Sequence, residues 1–113
     1  MSILGAGHEN GQLNLFDYNS NRIIRSITDA HSESISSLTF CQSNGGLNLI
    51  SGSHDGSIKV WDLRNYKIIG EVQRAHGRKY DESVMCLSTH NSVPFFASGG
   101  ADCTVNIYEL NIA

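Results

Sequence analysis

The chain repeats itself, and that constrains its fold more than anything else in the sequence. The stretches "HENGQLNLFD" (His8 to Asp17), "SHDGSIKVWD" (Ser53 to Asp62) and "GADCTVNIYE" (Gly100 to Glu109) align residue for residue. Asn10, Asp55 and Asp102 coincide, as do Leu13, Ile58 and Val105, and Leu15, Val60 and Ile107. Phe16, Trp61 and Tyr108 close the motif, at spacings of 45 and 47 residues. A second block, "NRIIRSITDAH" (Asn21 to His31), matches "YKIIGEVQRAH" (Tyr66 to His76), and a third pairs "ISSLTF" (Ile35 to Phe40) with "VMCLST" (Val84 to Thr89). A period of this length marks an array of like units, each of which buries its apolar face on its neighbours.

The complete middle unit reads as four strands: a near Ser34 to Phe40, b near Leu47 to Gly52, c near Ser57 to Leu63, and d near Lys67 to Gln73. "HDG" between b and c predicts a two-residue hairpin loop, with Gly56 supplying the positive φ. "SNGG" (Ser43 to Gly46) predicts the a–b turn, and Arg64–Asn65 the c–d turn. Apolar residues lie on both faces of several strands, as a sheet between two other sheets requires. The units are then 1–31 (b, c and d), 32–76 (complete) and 77–113 (a, b and c, with no d).

A period near 45, four strands per unit, an alanine-histidine before strand a and the closing Trp61-Asp62 resemble WD-repeat β-propellers over the whole length. The expected fold class is all-β: four-stranded antiparallel WD40 sheets in an incomplete propeller of about two and a half blades. The opening of the chain inside a strand fits the C-terminal part of a longer propeller protein. Two bare sheet faces and open strand edges predict instability alone, or association with further blades or with itself. A narrower resemblance lies in "AHGRKYDESV" followed by "FFASGGADCTVNIYEL", which is similar to the last blade of striatin-type scaffolds. That likeness implies an assembly containing type 2A protein phosphatase and kinases. In that family the phosphatase core is held largely through other regions, so these blades would bind an additional subunit.

The WD resemblance implies a buried hydrogen-bond chain in each blade: Asp55, His31, Ser51 and Trp61 in the middle unit, and Asp102, His76, Ser98 and Tyr108 in the third. Ser53 shares a strand face with Ser51 and stays open as the alternative serine. The physical need is clear. A buried indole N–H or imidazole left unpaired costs about 1–3 kcal/mol. The same residue types also resemble a Ser-His-Asp triad. Two facts oppose that reading: the set recurs at the repeat period, and no Gly-x-Ser-x-Gly elbow accompanies it. No enzyme activity is expected.

No other constellation carries chemistry. His8, His54 and His90 share no metal-ligand spacing, and "GAGHENG" (Gly5 to Gly11) lacks the Gly-Lys-Ser/Thr of a phosphate loop, so no metal or cofactor is expected. A net charge of -3 disfavours nucleic acid, and no apolar run approaches the ~18 residues of a membrane span. The three cysteines, Cys41, Cys86 and Cys103, have no close spacing and point to a reducing compartment, the cytoplasm or the nucleus. Protein partners remain. The expected contact surface carries the d–a and b–c loops, with Glu9, His54, Glu33, Arg78, Lys79 and Tyr80. His54 is expected to point outward, because its copies are Glu9 and Ala101. The expected function is a non-catalytic protein-interaction scaffold. The alternative is a peptide-reading receptor propeller of a ubiquitin ligase or chromatin complex.

Overall fold

A computed structural model describes residues 3–43, 46–90 and 94–110. The described residues form ten strands and no helix: β1 (Ile3–Gly7), β2 (Leu13–Asp17), β3 (Arg22–Ile27), β4 (Ile35–Ser43), β5 (Gly46–Ser53), β6 (Ile58–Asp62), β7 (Lys67–Val72), β8 (Val84–Thr89), β9 (Phe95–Gly100) and β10 (Val105–Glu109). They pair into three antiparallel sheets, ordered β1-β2-β3, β4-β5-β6-β7 and β8-β9-β10. These are consecutive blades of a β-propeller. The Ser43–Gly46 turn includes residues 44 and 45, which lie outside the described residues.

The repeat reaches the backbone itself. Register shifts occur between Leu15 and Phe16 in β2 and between Val60 and Trp61 in β6, which are equivalent positions. A further pair falls at Ile35/Ser37 in β4 and Val84/Cys86 in β8. Such bulges sharpen the local twist and re-aim a side chain. In the first pair the extra residues, Ile24 and Ile69, lie on the partner strands β3 and β7, opposite the step to Phe16 and Trp61. Asn21 and Tyr66, also equivalent, both take a left-handed conformation in the c–d turn, with φ of 57° and 60°. That turn thus reaches Tyr66, beyond Arg64–Asn65.

The b–c loop differs from the two-residue loop expected. Ser53 donates its N–H to the Ser57 carbonyl and accepts from the Gly56 N–H, so His54, Asp55 and Gly56 form a three-residue loop. Gly56 takes φ +91°, the pattern of a type I turn closed by a bulge. The first unit repeats it with Gly11 at φ +88°. The third places Cys103 there, at φ +66°. The reason for three residues is chemical: Asp55 must stay right-handed so that its carboxylate can accept the Ser57 N–H at 2.8 Å.

Packing follows strand alternation. Leu13 and Leu15 of the first sheet meet Leu49, Trp61 and Leu63 of the second. The other face of the second sheet, with Ile50, Ile58 and Val60, meets Val84, Phe96 and Leu110 of the third. Two glycines let the sheets approach. A Cβ on Gly7 would stand 2.5 Å from Ile35 Cγ2, and one on Gly52 would stand 2.6 Å from Val84 Cγ1. Each glycine leaves a slot that the first β-branched residue of the next sheet fills. Polar ties run alongside: Leu87 N–H donates to Ser37 Oγ at 3.1 Å, and Thr89 Oγ1 to the Phe40 carbonyl at 3.1 Å.

Cys103 is the one copy of the loop position without glycine. A side chain in the left-handed region costs about 1 kcal/mol. Cys103→Gly should therefore raise stability by roughly 0.5–1 kcal/mol, read as a thermal midpoint higher by a few degrees. An unchanged midpoint would show that the turn is unstrained.

Candidate functional site

The polar residues gather at the end of the sheets where the b–c loops and the d–a crossings lie. His31 sits on the crossing from the first sheet to the second, fully buried beneath the β5–β6 loop. Its Nδ1 lies 3.1 Å from Asp55 Oδ2 and 2.9 Å from Ser57 Oγ, and its Nε2 lies 2.7 Å from Ser51 Oγ. Trp61 Nε1–H donates to the same Ser51 Oγ at 2.9 Å. A carboxylate only accepts, so Nδ1 donates to Asp55. Nε2 then accepts the Ser51 hydroxyl proton, and the Ser51 oxygen accepts from the indole. Ser53, the other candidate serine, is used elsewhere: its hydroxyl donates to the Ser34 carbonyl at 2.8 Å and accepts the Asp55 N–H at 3.1 Å.

The third sheet repeats most of this. His76 Nδ1 lies 2.9 Å from Asp102 Oδ1, and Nε2 lies 2.8 Å from Ser98 Oγ. Tyr108 joins differently from Trp61. Its ring stacks on Phe96, with centroids 4.8 Å apart and planes 23° apart. A phenol carries its polar atom at the tip of the ring, whereas an indole carries it on the flank, so tyrosine does not copy the side-on N–H.

Sequence reasoning missed members of the set. Ser57 and Thr104, two residues after each aspartate, donate to it at 2.6 Å. Lys59 Nζ and Asn106 Nδ2 reach the carbonyls of Ala30 and Ala75, just ahead of each histidine. All four recur at the repeat spacing, which was the available signal. The electrostatic result is clear at both aspartates. Burial pushes the Asp55 carboxyl up, but hydrogen bonds from His31 and Ser57 outweigh it and hold it well below the usual range. Asp102 is held low by the Thr104 hydroxyl and the Gly77 N–H, with His76 adding to them.

Ser51 has no exposed surface, and both His31 and Trp61 hold its oxygen. An attacking serine needs open space on one side and oxyanion donors beside it. This serine is enclosed instead. Among the described residues, no three His, Cys, Asp or Glu side chains group as ligands for a metal ion.

The six loop residues fall into different environments. His54 is not outward-facing: it is half-buried, and its Nδ1 accepts the N–H of buried Ser83, just ahead of the third sheet, at 3.2 Å. It occupies the seam between two sheets because the Ser83 amide there needs an acceptor. Glu33 and Arg78 are not independent either. The two terminal guanidinium nitrogens of Arg78, Nη1 and Nη2, donate to the two carboxylate oxygens of Glu33, across the same seam. Glu9 is exposed on the β1–β2 loop.

Lys79 and Tyr80 belong to a tight hairpin absent from the middle unit. The Lys79 and Glu82 backbones exchange hydrogen bonds of 2.7 and 2.9 Å, and Tyr80 and Asp81 between them take φ +54° and +64°. Two consecutive left-handed residues are normally Asn-Gly. Here a tyrosine occupies the first place, 87% exposed, with Lys79 Nζ 5.8 Å from its ring centre.

Residues 21–62 and 70–109 match the family described as WD domain, G-beta repeat. The chain belongs to the WD-repeat family. Among curated relatives, it is 42% identical over 107 residues to the Striatin homolog of Dictyostelium discoideum. It is 37% identical over 101 residues to human Striatin and 35% over 101 residues to human Striatin-3. These alignments cover 95%, 89% and 89% of the chain, which spans about 12% of the length of each relative. A solved structure, "Structure of U3-55K", superposes with a TM-score of 0.81 over 96% of this chain and 31% of that one, at 24% identity, and shares the fold.

Two outcomes test the WD-repeat tie between crossing and loop. Ser51→Ala leaves the Trp61 N–H and a His31 nitrogen unpaired and buried, so urea unfolding followed by Trp61 fluorescence should lose about 2–4 kcal/mol. The second is acid sensitivity. Unfolded aspartate titrates near ~3.9. With folded values lower, the carboxylates stabilise fully above about pH 5, and that contribution is lost as pH falls toward the folded values. The urea midpoint should drop between about pH 5 and pH 3, and drop less steeply in Asp55→Asn.

Proposed function

We propose that these blades are a non-catalytic protein-interaction scaffold, part of a striatin-like subunit in a cytoplasmic phosphatase and kinase assembly. The observation that carries the reading is the Tyr80 hairpin. Functional contacts concentrate on loops held by a rigid frame. An aromatic in the left-handed region costs about 1–3 kcal/mol, and such strain persists where the surroundings enforce it. Here the Lys79–Glu82 hydrogen bonds and the Arg78–Glu33 pair supply that enforcement.

The chemistry of the face favours a protein partner. Tyrosine and arginine are the residue types that dominate interface energetics. Both signs of charge are present here: Glu9, Glu33, Asp81 and Glu82 beside Arg78 and Lys79. A mixed rim of this kind sets register and orientation against a complementary surface. The enclosure of Ser51 supports a role without catalysis. The resemblance to Striatin supports the choice of assembly, and a subunit other than the phosphatase core is the expected partner.

Affinity purification of the tagged chain, with quantitative mass spectrometry, tests this. Kinase or accessory subunits of that assembly should be retained, and Tyr80→Ala should lower their recovery at least about tenfold, as loss of an interface anchor does. Retention of ubiquitin-ligase subunits instead, or recovery unaltered by Tyr80→Ala, would overturn the proposal.

A further inference from the structure

The two seams between sheets are tied differently at their loop ends. At the first seam, the Ile35 N–H donates to the backbone carbonyl of His8 at 3.1 Å. A backbone carbonyl does not titrate, so this tie is indifferent to pH. At the second seam, the amide that spans the gap belongs to Ser83. Its acceptor is a side chain, His54 Nδ1, at 3.2 Å. Ser83 has no exposed surface, so water does not replace that acceptor.

An imidazole accepts only through a nitrogen that lacks a proton, so neutral His54 carries its proton on Nε2. A second proton turns Nδ1 into a donor, which then faces the Ser83 N–H, donor against donor. The buried amide is left unpaired and the tie is lost. His31 and His76 differ in kind. Their accepting nitrogens meet the hydroxyls of Ser51 and Ser98, and a hydroxyl can turn and accept where a backbone N–H cannot.

The charged groups on the surrounding elements have other engagements. On the crossing into the second sheet, Glu33 pairs with Arg78. In the β5–β6 loop Asp55 holds His31, and in the β9–β10 loop Asp102 holds His76. On the hairpin, Lys79 lies over the Tyr80 ring and Asp81 lies 3.5 Å from Arg78. Glu82, next to Ser83, is half-buried and closes the hairpin through its backbone bonds to Lys79.

We infer that His54 is a proton-sensitive clasp. Neutral, it ties the β5–β6 loop to the start of the third sheet. Protonated, it releases the second seam at its loop end, and with it the segment that closes the Tyr80 hairpin. The closed seam binds one proton fewer than the open one. Closure is therefore favoured above the ordinary histidine value of ~6.5 and weakens as pH falls through it. A partner held by the Tyr80 hairpin would be released in acid. That consequence rests on the function proposed above, whereas the clasp itself does not.

Hydrogen exchange of single amides in the chain without a partner, between about pH 7.5 and pH 5.5, tests the clasp. Relative to the unstructured rate at each pH, protection of the Ser83 amide should fall at least about fivefold on acidification, while that of Ile35 stays within about twofold. His54→Gln and His54→Ala both remove the titrating group, so neither should keep this pH dependence. The loop accepts alanine, which stands at the equivalent place as Ala101. Ser83 protection that does not fall, or that falls only in step with Ile35, would overturn the clasp. So would a fall that persists in either variant, which would assign it to another group. Tyr80→Ala should leave the Ser83 exchange unchanged while lowering partner recovery, so the clasp and the partner contact fail separately.

Discussion

The arrangement depends on one hydrogen-bonded relay, from Asp55 through His31 to Ser51 and Trp61. Its members come from different parts of the chain. His31 arrives on the crossing from the first sheet, while Asp55, Ser51 and Trp61 belong to the second. The relay therefore anchors the crossing, and with it the placement of one sheet beside the next. His76, Asp102 and Ser98 do the same for the third sheet. Each donor and acceptor would be costly to leave alone once buried. That need specifies one position for the crossing, which apolar packing alone would leave free to slide.

This economy explains why residues that look reactive hold structure here. The serine, histidine and aspartate share the connectivity of a hydrolytic triad. In a triad the serine oxygen faces a substrate. Here it faces an indole N–H. What the fold exposes lies above the relay, on loops whose backbones are already fixed. Those loops can vary in length and residue type without disturbing the sheets. The hairpin of Tyr80 and Asp81 shows this, inserted between His76 and Val84 while both keep their places.

Most of the architecture was legible because the repeat carried three independent kinds of agreement: apolar spacing, turn residues and the histidine ahead of strand a. Strand number and order followed from these. The misses share one cause. A repeat tells which residues correspond, not which atoms meet. His54 differs from Glu9 and Ala101, and variability reads as freedom. Yet its imidazole accepts the Ser83 amide in a seam that those positions do not share. The pairing of Glu33 with Arg78 spans two units, where an alignment of units against one another does not look. Ser57 and Thr104 recur plainly, but a small hydroxyl in a turn suggests only a turn. The loop came out one residue longer than expected because Asp55 works as an acceptor rather than as a left-handed turn residue.

The glycines of β1 and β5 have a geometric consequence. Ile35 stands over Gly7 and Val84 over Gly52, so neighbouring sheets nearly touch along their inner strands. Farther out, Trp61 and the leucines around it hold the first and second sheets apart. A narrow gap on one side and a wide one on the other make each junction a wedge. Successive wedges of one hand add up to an arc. The curvature of this array is thus encoded in side-chain volume, as the difference between a hydrogen atom at one end of the gap and an indole toward the other.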